Sequence, residues 1–171
     1  MRMRHSIALG AAAFSLPAAA AELVLKLELP RLTVAEYHRP YTAVWIERSD
    51  QGFVSNLSVW YDQKKKDNEG AKWLKDMRQW WRRGGRELAV PVDGVTGATK
   101  PAGKHQLSFT EGTAPMPKLA PGAYKLVVEA AREVGGREVV SIPFQWPPTA
   151  AAQPTATGKE ELGEIKLELK P

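Results

Sequence analysis

At 171 residues, with 43% apolar and 25% charged side chains, the chain has the length of one domain and the composition of a folded globular protein, which excludes a multidomain assembly and a disordered or collagenous chain. It has no cysteine, so structural disulfides, iron–sulfur clusters, Cys-attached haem and thiol nucleophiles are excluded together, and its three histidines are too few for a His-rich metal cage. The formal charge of +5 is modest, and acids are interspersed among the cations without any nucleic-acid-binding motif.

Residues 1–21 carry a basic start (Arg2, Arg4, His5), a short apolar run from Ile7 to Leu16, and small residues before Glu22. That is the organisation of an export signal: the run is too short to span a bilayer, and Ala18-Ala19-Ala20 or Ala19-Ala20-Ala21 satisfies the small-x-small rule for cleavage. The expected division is a secretory signal peptide over 1–21 and one folded domain over 22–171, delivered to a bacterial periplasm. Loss of Arg2 and Arg4 with the signal leaves 22 cations against 19 acids, a charge of +3.

From Glu22 onward the apolar pattern has period two, which places alternate side chains on one face of a sheet. Leu23, Leu25, Leu27 and Leu29 alternate with Val24, Lys26 and Glu28; Val44 with Ile46, and Leu57 with Val59, continue it. Runs over 123–130, 138–146 and 163–169 add three strands, with turn residues at Asp50-Gln51-Gly52, Pro101-Ala102-Gly103, Pro121-Gly122 and Gly135-Gly136 between elements. Seven or eight such strands predict an all-β antiparallel sandwich. One stretch departs from this pattern: Trp73, Met77 and Trp80 or Trp81 recur at helical spacing and predict a single short helix over about 69–82, with Asn68 as its cap and Gly84-Gly85 as its stop. Its tryptophans are expected to pack on the sandwich. Lys64-Lys65-Lys66 reads as a solvated loop, and the Gly-Gly-Arg-Glu found at 84–87 and 135–138 as two similar turns. The Pro, Ala and Thr tract over 147–158 predicts an extended loop whose following segment returns to the sandwich.

No nucleophile elbow, zinc-protease motif, phosphate-binding loop or dinucleotide fingerprint is present, so no catalytic residue, metal ligand set or stand-alone enzyme is expected. His38 and His105 lie near no nucleophile signature and read as surface or hydrogen-bonded residues. The distinctive segment is Asp93-Gly94-Val95-Thr96-Gly97-Ala98-Thr99, a turn bearing a hydroxyl among small neighbours. Gly94 and Gly97 permit unusual backbone angles, Asp93 is suited to close the turn by accepting backbone amides, and Pro101 disfavours helix at Lys100. A plain Gly-containing connection has the same features.

The run DGVTGAT resembles the target motif of ApbE-type flavin transferases, Asp-x-x-(Ser/Thr)-Gly-Ala-(Ser/Thr), in which FMN is joined by a phosphoester to the last hydroxyl. More broadly, RPYTAVWIERSDQGFVSNLSVWYD (39–62), KWLKDMRQWWR (72–82), DGVTGATKPAG (93–103), PGAYKLVVEAAREVGGRE (121–138) and PFQW (143–146) resemble the DUF2271 family of predicted periplasmic proteins. The resemblance implies an immunoglobulin-like sandwich and a covalently bound FMN on Thr99, with Asp93, Thr96, Gly97 and Ala98 read by the transferase. Implied partners are that transferase, a membrane-bound reductase for which a PepSY-type protein is the candidate, and a periplasmic electron acceptor. Trp73, Trp80 and Trp81, with Trp60 and Tyr61, are candidate neighbours of the flavin ring, and Arg78, Arg82 and Lys100 of its phosphate. The alternative is a cofactor-free periplasmic binding or assembly module. Burial of Thr99 in the sandwich interior would exclude the first reading.

Overall fold

A computed structural model describes residues 20–50 and 52–171; the export signal expected over 1–21 lies, but for its last two residues, outside the described residues. The expected all-β sandwich is present. Its strands are β1 (Glu22–Leu29), β2 (Tyr41–Arg48), β3 (Gly52–Tyr61), β4 (Thr96–Ala98), β5 (Gly103–Thr110), β6 (Gly122–Ala131), β7 (Arg137–Trp146), β8 (Thr155–Thr157) and β9 (Glu164–Lys170). One sheet has the order β5-β1-β9-β8 and the other β4-β3-β2-β6-β7. Pairing is antiparallel except between β3 and β4, which run parallel.

The period-two leucines explain the first sheet. Leu23, Leu25, Leu27 and Leu29 of β1 all point inward, paired across to Leu107 and Phe109 of β5 and to Leu167 and Leu169 of β9. They meet Val44, Ile46, Tyr124, Leu126, Phe144 and Trp146 from the second sheet, burying apolar surface at roughly 25 cal/mol per Å². The tract over 147–158 is extended as expected, but Thr155–Thr157 pairs with β9, and β9 itself returns to pair with β1.

The second sheet is covered on both faces. Residues Thr42–Glu47 of β2 are buried without alternation, because the outer face carries a second core of Ala43, Trp45, Val59, Tyr61 and Val127. The covering layer is the segment expected to be one helix. It is instead a chain of short helical turns, at Lys66–Asn68, Glu69–Lys72, Leu74–Asp76, Arg78–Trp80 and Trp81–Gly85. The backbone breaks at Met77 (ψ 75°), and Asn68 adopts a left-handed conformation (φ 55°) with no side-chain capping bond. Two packing demands account for the interruptions. Gly70 lies so close to the Asp62 carbonyl that an added Cβ would stand 1.7 Å from it. The buried carboxylate of Glu129 on β6 accepts the backbone N–H groups of Gln79 and Trp80, at 3.2 and 2.6 Å, and draws a new turn down onto the sheet. The helical run stops at Gly84-Gly85 as expected, these being the last residues of its last turn, where the rings of Phe53 and Trp80 press against them. Since Gly135 and Gly136 form the β6–β7 turn, the two Gly-Gly-Arg-Glu sites are unlike in structure.

Candidate functional site

The distinctive segment builds the rim of the second sheet. Thr96 closes its turn twice over: the Val92 N–H donates to Thr96 Oγ1 (3.0 Å) and Oγ1 donates to the Val92 carbonyl (3.0 Å). Asp93, expected to do this, stands exposed at the tip beside Gly94, whose φ of +74° needs glycine. Residues Thr96, Gly97 and Ala98 then run parallel to β3, opposite Val59, Trp60 and Tyr61, and the Val59 N–H donates to the Val95 carbonyl at 2.8 Å. Gly97 serves close approach and not an unusual φ, for a Cβ there would lie 3.4 Å from the Trp60 ring. Thr99 is the first residue beyond this strand. It is half-buried and lies outside the interior core. Residues 100–102 cross to the other sheet, fastened by His105, whose Nε2 donates to the Pro101 carbonyl at 2.8 Å.

Thr99 lines a cleft of about 460 Å³. Segments distant in sequence make its walls: Tyr37 and Arg39 before β2, Asp62 and Lys65 after β3, Trp73 from the helical layer, and Arg132, Glu133 and Val134 from the β6–β7 turn. Among the described residues, four large hydrophobic side chains are exposed, Val34, Tyr37, Trp73 and Val134, and the last three all lie on this cleft. Their grouping around Thr99 marks the cleft as the candidate site.

The wall at Arg132 is rigidly held. Its guanidinium and the Glu161 carboxylate form a two-bonded pair (3.0 and 3.0 Å) with 6% and 3% of the side chains exposed, and the Gly136 N–H donates to the same carboxylate at 2.8 Å. The Arg132 guanidinium also lies 5.9 Å over the Tyr37 ring. The Tyr41 hydroxyl donates to the Gly70 carbonyl at 3.0 Å, and burial pushes its phenol above the ordinary range, so Tyr41 remains a neutral donor. His38 lies 2.8 Å from Glu36 and 3.6 Å from Glu133, and Lys65 3.9 Å from Glu133.

Glu161 is in turn held by Glu138 on β7, whose carboxylate accepts the N–H groups of Lys159, Glu160, Glu161 and Leu162. Burial raises its pKa, but these donors together outweigh it and hold the carboxyl below its usual 4.5. A depressed carboxyl stabilises the fold above the unfolded value and loses that contribution as pH falls through the lower folded value. Glu138→Gln is therefore expected to reduce stability at pH 7 by about 1 kcal/mol, partial solvent exposure keeping the effect small. Urea midpoints measured from pH 7 to pH 3 should fall more steeply below pH 4.5 for the natural protein than for the variant; equal slopes would remove this role.

The other residues singled out in the sequence divide sharply. Trp80 is fully buried and its Nε1 donates to Asn56 Oδ1 at 2.7 Å, so no face is free for a ring. Trp60 and Tyr61 are buried, and Trp81 packs half-buried against the second core. Arg78 and Arg82 are exposed on the helical layer and do not line the cleft. Lys100 follows Thr99 but lies 5.7 Å over the Trp60 ring. Only Trp73 joins Thr99 in the cleft, across 26 positions of sequence. Tyr37, Arg39 and Arg132 were not singled out as site residues by sequence reasoning; no local spacing connects them.

Comparison with curated proteins and with solved structures gave no match. The family profile described as "Predicted periplasmic protein (DUF2271)" matches residues 22–164, from the first strand to the start of the last. The chain belongs to the DUF2271 family of predicted periplasmic proteins.

Proposed function

We propose that the protein is an exported flavoprotein that carries electrons between a membrane-bound reductase and a periplasmic acceptor through FMN attached to Thr99. The observation that carries this reading is the position of Thr99, half-buried at the end of a pinned rim strand and lining a cleft that it shares with the exposed aromatic side chains of Tyr37 and Trp73. The cleft's volume lies in the range of roughly 300–1,000 Å³ that ligand pockets occupy, and within a largely charged lining it offers exposed Trp73 and Tyr37 to a ring and Arg39 to a phosphate, the groups a flavin needs. When bound, the flavin supplies reversible one- and two-electron chemistry that no side chain of this chain offers.

The chain's own part in attachment is that of an acceptor. Thr99 Oγ forms a bond to the flavin-side phosphorus of a phosphoanhydride as the P–O bond to the leaving phosphate breaks. The hydroxyl proton passes to a base, and the leaving group departs with the electron pair. A threonine hydroxyl ionises only at high pH, so base and Mg²⁺ belong to the ApbE-type transferase. The exposed Asp93 and Ala98 and the fixed extended backbone of 96–98 are what that enzyme would read.

Coexpression with an active ApbE-type transferase should raise the intact mass by one FMN less a water. Thr99→Ala should abolish the rise completely and Thr99→Ser should retain it. An unchanged mass beside a modified control substrate, or a full rise in Thr99→Ala, overturns the assignment and favours a cofactor-free binding module.

A further inference from the structure

The chain has six tryptophans, and Trp73 is the one left exposed, at 49% of its surface. A single exposed indole calls for no explanation, but this one shares a cleft with exposed Tyr37 and Val134 and with convergent charged groups. We propose, resting on attachment at Thr99, that the cleft seats the flavin's tricyclic ring, which stacks on the Trp73 indole, while Arg39 pairs with the phosphodiester.

Two considerations narrow the assignment to these residues. Stacking needs an open π face on the cleft; Trp60 and Trp80 are covered and Trp81 lies off it, which leaves Trp73 with Tyr37 at hand. A phosphodiester needs a cation not already committed. Arg132 is paired with Glu161, and Lys65 and His38 stand by Glu133, whereas Arg39 makes no ion pair among the described residues. The tether makes modest contacts sufficient. A ring held on a short arm at the cleft's own rim has an effective concentration of roughly millimolar, so a site too weak to retain free flavin is still occupied.

The test reads the ring separately from its attachment. Natural protein, Trp73→Ala and, as a remote aromatic control, Trp81→Phe are coexpressed with the transferase, and intact mass and flavin fluorescence per attached flavin are measured. Equal mass rises with quenched flavin in the natural protein and in Trp81→Phe, and a docked-to-free ratio about tenfold lower in Trp73→Ala, support the proposal. Equal mass rises with equal fluorescence in natural protein and Trp73→Ala overturn the ring's seat while leaving Thr99 as the acceptor. Loss of the mass rise in Trp73→Ala alone also overturns it, because the indole would then serve the transferase. If no form gains mass, the attachment reading fails, and free FMN is titrated onto the unmodified protein: millimolar binding weakened about tenfold by Trp73→Ala supports a flavin seat, and no binding overturns it.

Discussion

Glu161→Ala is expected to lower the free energy of unfolding by about 3–5 kcal/mol, because it strands a buried guanidinium. Arg132 is almost wholly enclosed, between the β6–β7 turn and the Tyr37 ring, and Glu161 supplies the carboxylate that both of its bonds reach. The loss therefore reflects an uncompensated charge more than the net worth of the pair. Urea unfolding at pH 7 gives the value. A control separates the two contributions: replacing the pair together, with Arg132→Met and Glu161→Leu, should recover most of the loss, since a buried ion pair exchanged for apolar side chains of similar volume is often neutral. A loss below about 1 kcal/mol in Glu161→Ala, the level of an exposed pair, would contradict the enclosure seen here. The site should register the change too, because the turn that Arg132 anchors carries Glu133 and Val134 into the cleft wall.

The second large effect is expected at Glu129→Ala, at about 3 kcal/mol, with most of the damage in the helical layer. One carboxylate there accepts the Gln79 and Trp80 N–H groups and a 2.8 Å bond from Arg137, in a place where water does not reach. Removing it leaves two backbone donors in a three-residue turn without partners, and Trp80 keeps its indole bond to Asn56 but loses its main-chain one. The near-ultraviolet circular dichroism of the tryptophans should weaken at denaturant concentrations where the far-ultraviolet strand signal persists. Glu129→Gln, which keeps one acceptor oxygen, should lose about half as much. Coincident loss of both signals would show that the layer does not loosen independently of the sandwich.

Much of the sandwich was legible because its strands obey one physical rule. Where one face is buried and the other wet, as in β1 and β9, alternation is explicit, and Leu23 to Leu29 could be read without ambiguity. Strand β5 escaped notice because it lies at a sheet edge, where its inward residues His105 and Leu107 are only half covered and Phe109 alone is buried. Strands β4 and β8, at three residues each, are too short to display a period, and the parallel pairing of β4 follows from the chain's path over the helical layer, which no local pattern encodes. The helical spacing of Trp73, Met77 and Trp80 signalled a covering layer correctly but not its breaks, which depend on the Asp62 carbonyl at the end of β3 and on Glu129, 49 positions beyond Trp80. The same holds for the site. Thr99 stood out by its motif, whereas the aromatic and cationic walls come together only when β2, β3 and the β6–β7 turn are placed in one sheet.

β4 has a neighbour on one flank only. Along its other flank no strand among the described residues pairs with Thr96–Ala98; the Thr96 N–H is taken by the Val92 carbonyl at 2.9 Å, and the Thr96 side chain ties the same turn, so the short ribbon is held extended before any visitor arrives. Under the proposed attachment at Thr99, the transferase would meet a ribbon already ordered next to the hydroxyl it modifies. Loading of the cofactor would then need no unfolding of the domain.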